Sequence, residues 1–359
     1  MAEKSETNED AIKISEGILE TTELSVGQIE ADLKYLYDVL GEYFQRIVGS
    51  EINSTYDIYY LHHLAEALKF FEENESLEKL IDRFESDQEA YSHIPTLFFA
   101  SRILGDSAAI EFEPERGDIL LDWEDESVTF EFKRPRISEE AAKYWEQHRE
   151  ILDEVESILD DDFQYTISYD KKGDFHQILP QLISEADSLN SPGRARLANT
   201  IEVDLQETEG FNDEAPIRAM IMPGKMMDKD TGNWSPMTTY ASSEATFSIA
   251  GPKVDETEKL ADLISGARKQ LTSETPNVIV IYTGDMLDSF ANLVRATQDM
   301  FKSTSNTRIN AVVLWEYNYS DSGEIEVTSR PVRNPFASSE LPNGVFELLP
   351  YFDQEVVTN

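Results

Sequence analysis

Apolar residues recur at helical spacing through the first quarter of the chain. Ile29, Leu33, Leu36, Leu40, Phe44 and Ile47 mark one stripe, Leu61, Leu64, Leu68 and Phe71 a second, and Leu77, Leu80, Ile81 and Phe84 a shorter third. Steps of three and four place each set on one helix face, so residues 11–90 are predicted to form a helical N-terminal region behind a disordered leader over 1–10. A further helix is expected over residues 94–104. Gly105 suits its end, because glycine tolerates the left-handed conformation found there.

Beyond it the pattern shortens to strand-like runs. Residues 109–112, 118–123 and 128–133 read as three strands separated by polar turns, and Pro135 stops the third because its nitrogen cannot donate to a ladder. Residues 91–137 thus predict the first half of an α/β core. The stretch 138–254 reads as a long insertion or subdomain, with an acidic helix over 141–159 and strands over 164–169, 200–205 and 217–222. Its segment 228–243, rich in Thr, Ser, Gly and Pro around Trp234, predicts a loop.

Regular order returns over 255–359. Leu260, Leu263, Ile264, Ala267 and Leu271 form one helical face, residues 278–282 a buried strand, Leu287, Phe290, Val294 and Phe301 a second helix, and 309–315 a second buried strand. The chain from Asn334 onward reads as loop, with 345–349 docking as a short element. Alternating helix and strand imply right-handed crossovers onto one sheet. The fold class predicted is α/β, a mixed sheet flanked by helices.

Composition changes this picture in one respect. The 359 residues carry 71 Asp and Glu against 30 Lys and Arg, a formal charge of −41, yet are 40% hydrophobic. Phe, Tyr and Trp are too plentiful for a solvated tail, and the acid is spread along the whole sequence, so it predicts a coat on a folded surface. Such a coat points to a halophilic source, where dissolved cations screen its self-repulsion. In that setting net negative charge does not exclude a nucleic-acid partner. Cysteine is absent, which excludes disulfides and thiolate chemistry. No apolar run approaches a membrane span and the acidic start is unlike a secretory signal, so a cytoplasmic protein with no membrane contact is expected.

The candidate chemistry lies in the third strand. Strand alternation points Glu131 and Lys133 to one side and Phe132 to the other, and Asp118 opens the neighbouring strand. Two carboxylates can hold a hard divalent cation, and a lysine beside them can orient water or stabilise a pentavalent phosphate. Taken alone, the same residues also describe a surface strand with a local Glu–Lys ion pair of little energetic weight.

Asp118 with Glu131-Phe132-Lys133, on consecutive strands after a helix and followed by helix and strand, resembles the PD-(D/E)XK superfamily of restriction-endonuclease-like phosphodiesterases. The local match covers residues 94–135, and 255–282 supplies the rest of the core. The resemblance implies a restriction-endonuclease-like mixed sheet and a nuclease acting on DNA, with Mg²⁺ or Mn²⁺ as cofactor. Asp118 and Glu131 would be metal ligands, Lys133 the catalytic base or phosphate stabiliser, and the Phe132 carbonyl could also face the metal. Arg134, Arg136, Arg268 and Gln270 are candidate phosphate contacts, with Lys269 beside them. This chain departs from the pattern at Gly117, where proline is frequent, and in lacking a glutamate on the helix over 94–104, for which Glu89 is a weak substitute. Asp122 could supply an extra ligand. A member that keeps the fold as an inactive scaffold for protein assembly is the second expectation, a virus- or plasmid-encoded structural protein a third, and a homo-oligomer is left open.

Other chemistries find little footing. His62, His63, His93, His148 and His176 are not spaced to gather two on one helical face, so no zinc site is expected. Gly224-Lys225 lacks the rest of a phosphate-binding loop, and no Gly-x-Ser-x-Gly elbow occurs. Tyr35, Phe44, Tyr59 and Phe70 are expected in core or interface rather than as a base-stacking platform.

Overall fold

The structure is a computed structural model, described for residues 13–14, 22–41, 43–44, 51–52, 54–86, 93–105, 109–136, 142–143, 145–146, 163–169, 193–197, 201–207, 220–227, 234–241, 246–250, 256–286, 290–302, 306–320 and 322–349. It divides into two compact units, one of residues 1–134, 263–284 and 298–359, the other of 135–262 and 285–297. The leader over 1–10, Glu89 and most of the helix expected over 141–159 lie outside the described residues.

The first unit begins with a short parallel pair, β1 (Lys13–Ile14) and β2 (Glu51–Ile52), and a helical layer. Helix α1 (Val26–Leu40) starts at Ser25, whose hydroxyl accepts from the Gln28 amide while the Gln28 side chain accepts from the Ser25 amide, a reciprocal cap for two orphan donors. Helix α2 (Thr55–Phe70) is capped by Ser54, which accepts from the Asp57 amide at 3.1 Å. Then come α3 (Leu77–Ser86) and α4 (Ile94–Phe99), which runs on into a π turn at Ala100–Leu104 and stops at Gly105, φ +79°.

Against this layer lies a six-stranded mixed sheet. Strands β3 (Ile110–Phe112), β4 (Ile119–Trp123) and β5 (Glu126–Lys133) form an antiparallel meander. After the second unit's strands come α5 (Thr257–Arg268), β12 (Asn277–Tyr282), α6 (Phe290–Phe301), β13 (Ala311–Tyr319), β14 (Ile325–Arg333) and α7 (Asn343–Leu348). The sheet order is β14-β13-β12-β5-β4-β3, with β12 parallel to both β5 and β13, and β14 antiparallel to β13. Parallel neighbours cannot be joined by a tight turn, which is why a helix precedes β12 and another precedes β13.

Strand alternation sorts the sheet's side chains. Val128, Phe130, Val280, Val313 and Trp315 share one buried cluster with Leu36, Leu64, Leu68, Phe98 and Phe99 of the helical layer. Ile279, Ile281, Val312 and Leu314 alternate with them and are also fully buried, so both faces are covered, as strands in parallel pairing require. A ladder of asparagines ties the entry of β12 and β13: the Asn277 amide nitrogen Nδ2 donates to the carbonyls of Thr272, Thr275 and Arg308, and Asn310 Oδ1 accepts from the Asn277 backbone at 2.8 Å.

The second unit holds β6 (Phe163–Tyr169), β7 (Gly193–Leu197), β8 (Ile201–Glu207), β9 (Met220–Met227), β10 (Trp234–Ala241) and β11 (Thr246–Ala250), ordered β7-β8-β6-β11-β10-β9. Strand β10 corrects the loop expected over 228–243. Its run Met237-Thr238-Thr239-Tyr240 suits a strand once β9 and β11 pair with it on both sides, and that long-range pairing outweighs the turn-forming composition around it. Among the described residues no helix is long and apolar enough to cross a membrane.

Candidate active site

The chain reaches the site through a glycine. Gly117 has φ +83°, and a Cβ there would come within 2.4 Å of Thr129 Cγ2. Proline, whose ring holds φ near −65°, cannot occupy this position, which gives a steric reason for Gly117 before the aspartate. The turn sets Asp118 just ahead of β4, where its backbone amide donates to Phe130 O at 2.9 Å and its Oδ2 accepts from the Phe132 amide at 2.6 Å. The carboxylate thus stands in for a ladder partner at the point where β4 leaves β5.

Glu131 and Lys133 share the side of β5 facing away from the helical layer, and Glu131 is only 2% exposed. Lys133 Nζ donates to Glu131 Oε1 at 2.5 Å and to Gln270 Oε1 at 2.6 Å. Burial pushes the Glu131 carboxyl up to about 7; the nearby Asp118 charge adds to this and Lys133 opposes it. Asp118 is also raised by burial, against the pull of the Phe132 amide and Lys133.

A third carboxylate joins them. Glu113, in a left-handed conformation at φ 47°, follows β3, and its amide donates to Asp118 O at 2.9 Å. Burial and then the Asp118 charge raise its carboxyl, and its own charge in turn raises Glu131. Glu113 Oε2 accepts from Arg83 Nε at 3.1 Å, whereas Oε1 is buried with no hydrogen-bond partner among the described residues. Three carboxyl groups, Glu131 buried and Asp118 and Glu113 half-buried, thus gather at this end of the meander, and one of their oxygens has no hydrogen-bond partner among the described residues. Sequence reasoning missed Glu113, though a signal existed: once 109–112 and 118–123 pair as a hairpin, the register Phe112 to Ile119 puts Glu113 beside Asp118.

The remaining candidates separate. Gln270 reaches Lys133, but Arg268 Nη1 donates to Asn306 Oδ1 at 3.2 Å and the Arg134 guanidinium lies over the Tyr282 ring at 5.5 Å. Lys269 is exposed, and Arg136 is exposed near the start of the second unit's sequence. Asp122 is no extra ligand: four residues of strand carry it about 13 Å from Asp118, and its Oδ1 accepts from Ser127 Oγ at 2.6 Å. Among the aromatic side chains, Phe44 and Tyr59 are buried, Tyr35 lies under Lys69 at 5.0 Å and Phe70 is 45% exposed.

Comparison with protein-family models, with curated proteins and with solved structures finds no significant match.

Proposed function

We propose that the chain is a restriction-endonuclease-like, Mg²⁺-dependent phosphodiesterase of PD-(D/E)XK type that cleaves DNA in the cytoplasm of a halophile. The observation that carries this reading is the placement of Asp118 and Glu131 at one end of a three-stranded meander, Asp118 bonded to the Phe132 amide and Glu131 to Lys133. The order of helix, meander, helix and then a strand parallel to β5 supports it.

Asp118 and Glu131, with Glu113 behind them, would hold Mg²⁺ or Mn²⁺, which when bound supplies charge neutralisation and a more acidic attacking water. Lys133 is held by two acceptors, Glu131 and Gln270, which leaves its third hydrogen to donate to a phosphate oxygen as charge develops there. Without a cation the Glu131 carboxyl is held near 7 by burial, so at neutral pH a bound cation would displace a proton from it. Gln270 fixes the direction of the lysine without adding charge.

The test is cleavage of single- and double-stranded DNA by the full chain in concentrated salt with Mg²⁺. Activity that disappears in both Lys133→Ala and Asp118→Ala supports the assignment, whereas cleavage surviving both overturns it. No cleavage of any DNA, together with no Mg²⁺ uptake by calorimetry, leaves the fold as a scaffold and sinks the enzymatic reading.

A further inference from the structure

Helix α2 carries a second cluster, on the helical-layer side of the first unit. His62, His63 and Glu66 offer ligand atoms that all lie within 4.8 Å of one another. The spacing is i, i+1 and i+4, so a single carboxylate reaches both rings: Glu66 Oε1 is 3.7 Å from His62 Nε2 and Glu66 Oε2 is 3.1 Å from His63 Nδ1.

The outer hydrogen bonds fix which nitrogen of each ring faces the carboxylate with a lone pair. His62 Nδ1 lies 2.7 Å from Asp32 Oδ2, an acceptor, so in the neutral ring Nδ1 carries the proton and Nε2 is open toward Glu66. His63 Nε2 lies 2.7 Å from the Gly323 carbonyl, so Nε2 carries that ring's proton and Nδ1 is the open atom. Arg102 agrees, since its Nη2 can only donate and sits 3.0 Å from His63 Nδ1 and 2.9 Å from Glu66 Oε2. An imidazole whose far N–H is held by a carboxylate or a carbonyl is the outer-shell arrangement of metal-ligating histidines.

Each outer partner is itself anchored. Asp32 is buried and its second oxygen accepts from Lys69 Nζ at 2.7 Å. Gly323 turns the chain between β13 and β14 at φ +80°, so close to Tyr59 that a Cβ would meet its ring at 2.0 Å. The His63 ring lies parallel to Tyr319 at 5.6 Å, which sets its plane. Glu66 is 46% and Arg102 41% exposed at the side chain, so solvent has access to the open side of the cluster.

We propose that His62 Nε2, His63 Nδ1 and Glu66 form a binding site for a divalent transition metal of the zinc class, with the Arg102 guanidinium as an internal cation that the metal displaces. Two imidazoles and one carboxylate suit Zn²⁺ over Mg²⁺, and they leave a fourth position open. Through His63 the metal fastens α2 to the β13–β14 turn.

The experiment is Co²⁺ and Zn²⁺ titration of the full chain carrying Asp118→Asn and Glu131→Gln, which removes the carboxylate site as a competitor. One equivalent of Co²⁺ with visible d–d absorption, displaced by Zn²⁺, is expected. His62→Ala abolishes it, and Asp32→Asn weakens it about 10- to 100-fold by releasing the His62 ring. Arg102→Ala binds more tightly than its parent, because the competing cation is gone; this variant keeps both histidines and the carboxylate, so it reports even if His62→Ala folds poorly. Absence of Co²⁺ uptake in both the parent and Arg102→Ala overturns the proposal, as does undiminished uptake in a folded His62→Ala/His63→Ala protein.

Discussion

The carboxyl cluster of Glu113, Asp118 and Glu131 and the cluster of His62, His63 and Glu66 belong to the same unit, and burial moves the carboxyls of the first and the His63 imidazole of the second in opposite directions. Burial raises Asp118 and Glu131, with Glu131 held near 7, while it lowers His63, so in both places it disfavours the charged form. Glu66 moves the other way from the buried acids: burial pushes it up, but His62, His63 and Arg102 together draw it below the usual carboxylate range. The difference lies in the partners. The histidine cluster contains its own cation and satisfied outer bonds, whereas the carboxylates outnumber the cations around them and leave Glu113 Oε1 without a partner among the described residues. One cluster holds a cation of its own; the other has fewer cations than carboxylates around it.

The largest effect that separates the two sites is on DNA cleavage. Asp118→Asn and Lys133→Ala are each expected to lower the Mg²⁺-dependent rate by about 10²–10³-fold or more, while His62→Ala changes it little under the same conditions. Equal losses from both sets, measured as initial rates on one substrate, would erase the distinction.

Next in size is the response to pH. The folded Glu131 carboxyl titrates near 7, above its ordinary value of 4.5, so the stability it contributes is full below pH 4.5 and is lost as pH rises through 7. Without a divalent cation, stability should therefore fall by up to about 3 kcal/mol between those limits, and Glu131→Gln should flatten the decline. Melting temperatures across pH 5–8 in a chelator check this. With Mg²⁺ present the cation competes with the proton, so its affinity should rise by up to tenfold per unit as pH approaches 7 and level off above it. A pH-independent Mg²⁺ affinity would remove Glu131 from the ligand set.

A smaller effect is expected at the turn that delivers Asp118. Gly117→Ala forces a side chain into the left-handed region and against Thr129, at a cost of about 1–3 kcal/mol in denaturant unfolding, with cleavage falling as Asp118 shifts. The histidine site should keep its Co²⁺ affinity in this variant. The smallest effect is a control: Asp122→Ala should leave cleavage within about twofold, since that carboxylate is engaged by Ser127 at the far end of β4. A tenfold loss would return Asp122 to the site.

The two sites also differ in how legible they were. Glu131 and Lys133 fall on one side of β5 because a strand has a period of two, and the runs that predicted strands over 109–112, 118–123, 128–133 and 278–282 carry β3, β4, β5 and β12. Glu113 was hidden because its place depends on hairpin register and a positive φ that a glutamate rarely adopts. Helical spacing alone does not bring the histidine pair together, because adjacent residues on a helix diverge in angle. Glu66 reaches both rings from the next turn, while Asp32 on α1 and Gly323 of the β13–β14 turn hold the outer ring nitrogens and Arg102 of the π turn lies against the inner atoms. Strand β14 is not legible locally for a similar reason: its polar run Ile325–Arg333 is a strand through its pairing with β13.

By itself the sequence determined the quantities that depend on near neighbours in the chain: helical stripes, strand alternation, the Glu131–Lys133 pair and the acidic coat. Tertiary structure alone decided which distant residues meet. The parallel pairing of β12 with β5 brings Gln270, 137 positions away, to Lys133, and the β13–β14 turn brings the Gly323 carbonyl 260 positions back to His63. Periodicity fixes the direction of a side chain within its own element. The partner it meets is fixed by the packing of elements, which local spacing does not encode.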